Sequence, residues 1–66
     1  MPVLKVIEVM SSSPKSWEDA TAKGVKKAAE SVRGIKSAYV QNQSVVVDNG
    51  IVTEYRVNLK LSFVIE

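Results

Sequence analysis

The clearest pattern in the chain lies at its end, where residues 51–66 alternate between apolar and polar side chains. This period of two predicts a half-buried β-strand with one face toward a core. Fully extended, the segment would measure about 50 Å at roughly 3.3 Å per residue, whereas a compact chain of this length is about 28 Å across. Such a strand either bends sharply around the core or lies partly on another copy of the chain. No Gly or Pro interrupts it to ease a bend, so the pattern predicts self-association.

Val3–Met10 is a mostly apolar and β-branched stretch, which predicts a first strand. Lys5 and Glu8 fall on opposite faces of this stretch, so both faces are expected to be partly covered. The run Ser11–Pro14 then breaks the pattern and predicts a turn into a helix.

The helix is predicted to begin at Trp17, with Ser16 as its N-cap and Asp19 at the third helical position. Gly34, directly after Arg33, fits the left-handed position that ends many helices. Several small residues on the buried face predict that a sheet packs closely over the helix, although small residues that are merely tolerated would give the same pattern. The buried stripe at helical spacing is Trp17, Ala20, Thr21, Gly24, Val25, Ala28 and Val32.

Ile35–Asp48 predicts a second strand, joined to the third by Asn49 and Gly50. This dipeptide is the strongest short hairpin signal, because a type I′ turn needs positive φ at both central residues. A two-residue turn sets Asp48 opposite Ile51. The same register pairs Val46 with Thr53, Val40 with Leu59, Ala38 with Leu61, Gln43 with Arg56 and Tyr39 with Lys60.

Asn42 conflicts with this register, because it would lie on the core face beside Val57. A β-bulge is therefore predicted between Gln41 and Ser44. The outward face of the hairpin is polar without dense charge, which suits either a solvated surface or an interface, and the length of the third strand favours the interface. That face consists of Tyr39, Gln41, Gln43, Arg56, Asn58 and Lys60.

Composition predicts one domain, residues 1–66, that gains stability by oligomerisation, since so short a chain buries only about 60% of its unfolded surface. Cys and His are absent, which excludes disulfides and removes the commonest metal ligand and general base. The net charge of +2 comes from nine basic and seven acidic residues that are interspersed, a balance too mild for a nucleic-acid partner. No apolar run approaches the ~20 residues of a membrane span, so a soluble, cytoplasmic protein without a membrane partner is expected.

The residues offer little for catalysis, and the sequence predicts that the protein is not an enzyme. The serines between positions 11 and 13 have no identifiable base, and Glu18 and Asp19 diverge as helix neighbours. A hard cation is harder to exclude, although its ligands are unknown. Oxygen ligands assembled across subunits could come from Asp48, Asn49, Glu54 and the carbonyls of Ser11 to Ser13.

The order and spacing of four segments resemble the dodecin family. These are Val-Ile-Glu-Val from Val6, Ser-Ser-Pro-Lys-Ser-Trp-Glu-Asp-Ala from Ser12, Ala-Glu-Ser-Val from Ala29, and Tyr-Arg-Val-Asn-Leu-Lys-Leu-Ser-Phe from Tyr55. The resemblance implies an α+β fold of order β-α-β-β, in which a three-stranded antiparallel sheet wraps one helix. It also implies a hollow homododecamer with cubic symmetry. The best-known members store flavins, stacked in pairs between tryptophans, with a glutamine hydrogen-bonded to the flavin ring.

Transferred to this chain, the resemblance puts the stacking tryptophan at Ser37 and the glutamine at Arg56. A serine has no π face, so flavin binding is expected to be weakened or lost. Trp17 does not replace the missing aromatic, because it belongs to the buried helix stripe. Arg56 could instead bind an anionic ligand or a carboxylate, and Tyr39 and Gln43 complete the candidate ligand-binding residues. This departure is similar to a branch of dodecins that lacks the flavin site and is associated with calcium.

The sequence therefore predicts a non-enzymatic, homododecameric protein of the dodecin type that binds or stores a small ligand. The cofactor is unknown: the resemblance implies flavin, weakened here, with Ca²⁺ as an alternative. A purely structural shell without a ligand is the other alternative. These possibilities differ at Ser37, since closure by Tyr39 and Arg56 would fill the site, whereas a remaining cavity predicts a ligand.

Overall fold

In the computed structural model, which describes residues 3–65, one helix packs on a three-stranded antiparallel sheet. β3 lies between β1 and β2 in the sheet. The elements in chain order are β1 (Val3–Ser13), α1 (Trp17–Ala29), β2 (Ile35–Asp48) and β3 (Ile51–Ile65). The predicted α+β fold of order β-α-β-β is confirmed.

β1 continues past its predicted end at Met10, because Ser11, Ser12 and Ser13 still pair with β3. The prediction that these serines break the strand is therefore wrong, and the turn begins only at Pro14. α1 begins as predicted. Ser16 is its N-cap, and the Asp19 N–H donates a 3.0 Å hydrogen bond to the Ser16 hydroxyl.

α1 ends at Ala29, so the prediction that Gly34 caps it is wrong. The chain leaves the helix through a tighter turn, in which the Glu30 N–H donates to the carbonyl of Lys27 at 3.2 Å. Gly34 does have a positive φ of 77°, but its contact is with the sheet and not with the end of the helix. Its carbonyl accepts a hydrogen bond from the Val64 N–H at 3.3 Å, and the glycine thereby turns the chain onto the end of β3.

The β2–β3 hairpin has the predicted turn, since Asn49 and Gly50 have φ values of 53° and 78°. The bulge is also present, although it lies at Gln41, where the register shifts between Val40 and Asn42. As a result Asn42 lies opposite Asn58 and away from the core. The register confirms the pairs Val40–Leu59, Ala38–Leu61 and Tyr39–Lys60.

A second shift, between Val46 and Val47, is not predicted by the sequence. It leaves Thr53 of β3 without a direct partner, and the bulge at Gln41 later restores the register. Between the two shifts the predicted pairs are wrong. Val46 lies opposite Glu54 rather than Thr53, and Gln43 lies opposite Val57 rather than Arg56.

The core lies between α1 and the central strand, and its fully buried apolar residues are Ala20, Val57, Leu59 and Leu61. The predicted close approach occurs at Gly24. A β-carbon there would lie 3.0 Å from both Leu59 Cδ1 and Ser11 Cβ, so the helix sits against the sheet with no room for a side chain.

The described chain is long and thin, with extents of 50 × 19 × 14 Å and a radius of gyration of 13.4 Å, against about 11 Å for a compact chain of this length. β3 therefore does not fold back on its own core. The accessible surface is 4882 Å², whereas a compact monomer of this mass exposes about 4,100 Å². The surplus is consistent with surface left for contacts between copies.

α1, the helix in residues 3–65, has neither the length nor the apolar composition of a membrane span.

Asp19 links the start of α1 to the end of β1. The Ser13 hydroxyl donates to Asp19 Oδ2 at 2.5 Å, and the Lys23 ammonium lies 3.1 Å from the same oxygen. These contacts, the Ser13 hydrogen bond first, lower the pKa of Asp19 from its ordinary value of 3.8. The stabilisation is therefore complete above the unfolded-state pKa and disappears as the pH falls through the lowered, folded-state pKa.

Asp19→Asn is accordingly expected to destabilise the protein at neutral pH. In acid it should have little effect, because the carboxyl of Asp19 is then protonated and is uncharged like the amide that replaces it. Urea unfolding of both proteins across this pH range measures the difference. Glu18→Gln is the matched control, because it removes the same charge from the same helical turn. A loss for Asp19→Asn that does not change with pH would contradict this account.

Candidate functional site

The candidate residues lie mostly on the face of the sheet that points away from α1, called the outer face below. Side chains alternate along a strand, so β3 presents its even-numbered residues from Glu54 to Ser62 on this face. The four of these residues from Arg56 to Ser62 each have a partner in β1 and a partner in β2. The rows across β1, β3 and β2 are Ser12–Arg56–Ser44, Met10–Asn58–Asn42, Glu8–Lys60–Tyr39 and Val6–Ser62–Ser37.

Ser37 and Tyr39 are adjacent on the outer face of β2. The Ser37 hydroxyl is hydrogen-bonded to the hydroxyl of Ser62, and Tyr39 stands 65% exposed across from Lys60. Ser37 itself is exposed. The structure thus places a small polar pair, with no π surface, at the position where the family resemblance expects the stacking tryptophan.

Trp17 lies on the other side of the sheet, as expected. Its ring centroid is 5.2 Å from that of Tyr55, with the rings nearly perpendicular at 78°. Its Nε1–H donates to the carbonyl of Ser44 at 3.0 Å. The indole thereby joins the start of α1 to β2 and has a packing role.

Arg56 shares the outer face with Ser37 but lies far from it. Six positions of β3 separate Arg56 from Ser62, the partner of Ser37, which corresponds to about 20 Å. A site that uses both residues therefore needs two copies of the chain. Arg56 lies between the hydroxyl-bearing Ser12 and Ser44, and within residues 3–65 no carboxylate is in salt-bridge distance of it. Its guanidinium donors are available to a carboxylate or phosphate.

Gln43 is separated from the other three candidates. The predicted register puts Gln43 on the outward face of the hairpin, but the register shift places it opposite Val57 and hence on the side of α1. It is nevertheless exposed, because α1 lies mainly over β1 and β3. Ser37, Tyr39 and Arg56 therefore share a face, and Gln43 does not.

The candidate metal ligands do not converge within one chain. Asp48 and Asn49 lie at the hairpin tip, whereas Glu54 lies about 10 Å further along β3 and accepts a 2.9 Å hydrogen bond from the Ser12 hydroxyl. Among residues 3–65 there is no group of three acidic side chains that could hold a metal ion. The acidic side chains that residues 3–65 of one chain supply therefore do not fit a hard cation, which needs several oxygen ligands.

Two concave regions were not identified from the sequence. The first, called the α1 groove below, has a volume of about 430 Å³ and lies between α1 and β1; its lining includes Val9, Met10, Lys23, Gly24, Lys27 and Ala28. The second, of about 490 Å³, is lined by Arg33, Gly34, Lys36 and Val64. Small helix residues next to lysines were the available signal for the groove, but the same small residues also predict close helix–sheet packing.

Comparison with known structures agrees with this architecture. Dodecin from Streptomyces coelicolor superposes with a TM-score of 0.94 at 28% identity, covering 98% of this chain and 93% of that protein. Calcium dodecin from Mycobacterium tuberculosis, described as a calcium-chelating antigen with a calcium-binding site, superposes with a TM-score of 0.85 at 42% identity. In that match 97% of this chain and 91% of the other are covered.

Sequence comparison gives the same answer. The calcium dodecin of Mycobacterium tuberculosis is 43% identical over 63 residues, which cover 96% of this chain and 89% of that protein. The dodecin family profile matches residues 3–66, nearly the whole sequence. The chain therefore belongs to the dodecin family.

Proposed function

We propose that the protein forms a hollow homododecamer that binds or stores a small ligand and catalyses no reaction. The dodecin family profile matches residues 3–66, and the subunit leaves much of its apolar surface uncovered. This combination carries the proposal. Eleven large hydrophobic side chains are exposed in the described chain. Assembly would cover part of this surface and would stabilise a domain too small for a large core.

The ligand site that we infer is formed by Ser37, Tyr39 and Arg56 of more than one copy. All three lie on the outer face, and the separation of about 20 Å between Ser37 and Arg56 along β3 requires a second chain to bring them together. Ser37 supplies no aromatic surface for a flavin ring, and the guanidinium of Arg56 favours an anionic group. We therefore propose that flavin binding is weak or lost. Gln43, on the opposite side of the sheet, is a weaker candidate.

The flavin part of this proposal is tested by the double variant Ser37→Trp with Arg56→Gln. Two symmetry-related aromatic contacts, each worth roughly 0.5–1.5 kcal/mol, should raise the affinity for riboflavin and flavin mononucleotide by about tenfold or more, since 1.4 kcal/mol corresponds to a factor of ten. Quenching of flavin fluorescence measures the affinity. The unmodified protein is expected to quench little.

The matched control is Lys15→Trp with Arg33→Gln, which introduces the same two residues at exposed positions outside the α1 groove and should leave flavin binding weak. Tight binding by the unmodified protein would show that Ser37 and Arg56 do not decide the ligand. A double variant that assembles normally and gains no affinity would show that the pocket itself is lost, as in a purely structural shell.

Calcium is a second candidate, favoured by the 43% identity to a protein named calcium dodecin. Since one chain gathers no three acidic side chains within residues 3–65, we propose that any calcium site combines oxygen ligands of different copies. Glu54 is the first ligand to test. Calorimetric titration with Ca²⁺ would then show saturable binding that Glu54→Gln weakens and Glu18→Gln leaves unchanged. No heat of binding for the assembled protein would contradict the calcium alternative.

A further inference from the structure

The β2–β3 hairpin projects beyond the rest of the sheet. β1 ends at Ser13, opposite Tyr55, whereas the hairpin continues to its turn at Asn49 and Gly50. This two-stranded extension, residues 45–54, is called the arm below. A two-stranded ribbon is marginally stable in water by itself, so its apolar side chains need a cover. Their exposed fractions are 39% for Val45, 57% for Val47, 65% for Ile51 and 45% for Val52.

The α1 groove provides a complementary surface. Its floor includes the apolar or small residues Val9, Met10, Gly24 and Ala28, and its volume is about 430 Å³. The groove also borders β1, which in the described chain pairs with β3 on one side only. The backbone groups on the other side of β1 are therefore available to an added strand.

The charges of the two surfaces match as well. The arm carries Asp48 and Glu54 and no basic residue, whereas the groove lining carries Lys23 and Lys27 and no carboxylate. The two lysines contact acids of their own helix turn at 3.1 and 3.4 Å. Such exposed pairs contribute little energy, so they do not prevent the basic groove from attracting the acidic arm.

The arm cannot reach the groove of its own chain. α1 begins beside the base of the arm, where Trp17 bonds to Ser44, and Ala28 lies eleven positions further along the helix, about 16 Å away at 1.5 Å per residue. The groove thus lies toward the opposite end of the molecule. Because the two surfaces differ, a contact between them is head-to-tail. Such a contact builds a closed ring if the rotation that relates successive copies closes on itself.

We propose that the arm of one copy seats in the α1 groove of the next copy, with Val45, Val47 and Val52, which share the α1 side of the sheet, on the groove floor. This contact rests on the self-assembly proposed above and specifies which surfaces meet. It covers the exposed valines of the arm and brings the acidic arm beside the basic groove that carries Lys23 and Lys27.

Disulfide trapping tests the contact directly, because the natural chain contains no cysteine. Ala28→Cys is combined in turn with Cys at Val45, Val47, Ile51 or Val52, and the assembled proteins are mildly oxidised. Since a disulfide needs Cα atoms roughly 4.4–6.8 Å apart, at least one combination should give a ladder of covalent oligomers on a non-reducing gel. The single variants should stay monomeric on that gel. So should Ala28→Cys with Lys15→Cys, which places the second thiol at an exposed site outside the arm.

Light scattering of the same samples separates the two levels of the proposal. A full-size assembly that yields no cross-link from any of the four arm positions would overturn the arm–groove contact and leave the proposed assembly standing. Covalent dimers from the single arm variants would place arm against arm and would also overturn it. Unsubstituted protein that is monomeric by light scattering would overturn the assembly and the contact together.

Discussion

Leu59→Ala is expected to lower the free energy of unfolding by about 2–5 kcal/mol, the range for deleting a buried leucine side chain. Leu59 is fully buried on the central strand and touches the helix where Gly24 leaves no space for a side chain. Little can move into the resulting cavity, because Ala20, Val57 and Leu61, the other buried apolar residues, belong to the same two elements. Small domains have only about 5–15 kcal/mol of stability in total, so the loss is severe.

Urea unfolding at one fixed protein concentration measures the effect of Leu59→Ala, because assembly couples stability to concentration. Val40→Ala is the control. Val40 faces Leu59 across the hairpin on the same side of the sheet but is 37% exposed, so its truncation should be clearly milder. Equal losses for the two variants would contradict the placement of the core between α1 and β3.

Gly24→Leu is expected to destabilise the protein by about 1–3 kcal/mol, the usual range for overpacking. Leucine is a better helix former than glycine by almost 1 kcal/mol, so propensity alone predicts the opposite sign. The contacts decide the outcome, since even a β-carbon would lie 3.0 Å from Leu59 Cδ1 and Ser11 Cβ. Ser11 Cβ is fixed to the backbone of β1 and cannot move aside without shifting the strand.

Thermal unfolding of Gly24→Leu beside Ala29→Leu measures this effect. Ala29 belongs to the same helix but is exposed, so its replacement keeps the helix propensity and adds no clash. A melting temperature for Gly24→Leu at or above that of the natural protein would show that the helix does not pack closely on the sheet at this point.

Local signals predicted most of the fold. The alternation in β3 and the Asn49–Gly50 turn each depend on a few consecutive residues, and both are confirmed. The end of α1 was missed, because Val32 continues the apolar stripe past Ala29 and gives no sign that the helix stops. The shift between Val46 and Val47 was missed because it arises from pairing across the sheet, and nothing in the residues of one strand indicates it.

The exposure of the arm has a geometric cause that the alternation of β3 cannot reveal. An α-helix of 13 residues is about 20 Å long at 1.5 Å per residue, whereas the described chain extends 50 Å. α1 therefore covers less than half of the sheet. Val47 and its partner Val52 lie on the side of α1, yet they are 57% and 45% exposed because the helix does not extend over the arm.

The candidate site was predictable only in part. The resemblance selected Ser37 and Arg56, and alternation in β3 places Arg56 on the outer face. The separation of these two residues, and the position of Gln43 on the other side of the sheet, follow from the full register of the three strands. A site that uses both Ser37 and Arg56 needs a second chain, so the residues of one chain cannot form all of it.

Native mass spectrometry of the protein purified from its source tests the central claim most directly, since it reports the number of subunits and any retained ligand in one spectrum. We expect a single dominant species with twelve times the mass of the chain and without bound flavin, because Ser37 provides no stacking surface. A monomer or simple dimer at micromolar concentration would contradict the proposed assembly, and a dodecamer that retains flavin would contradict the proposed loss of that ligand.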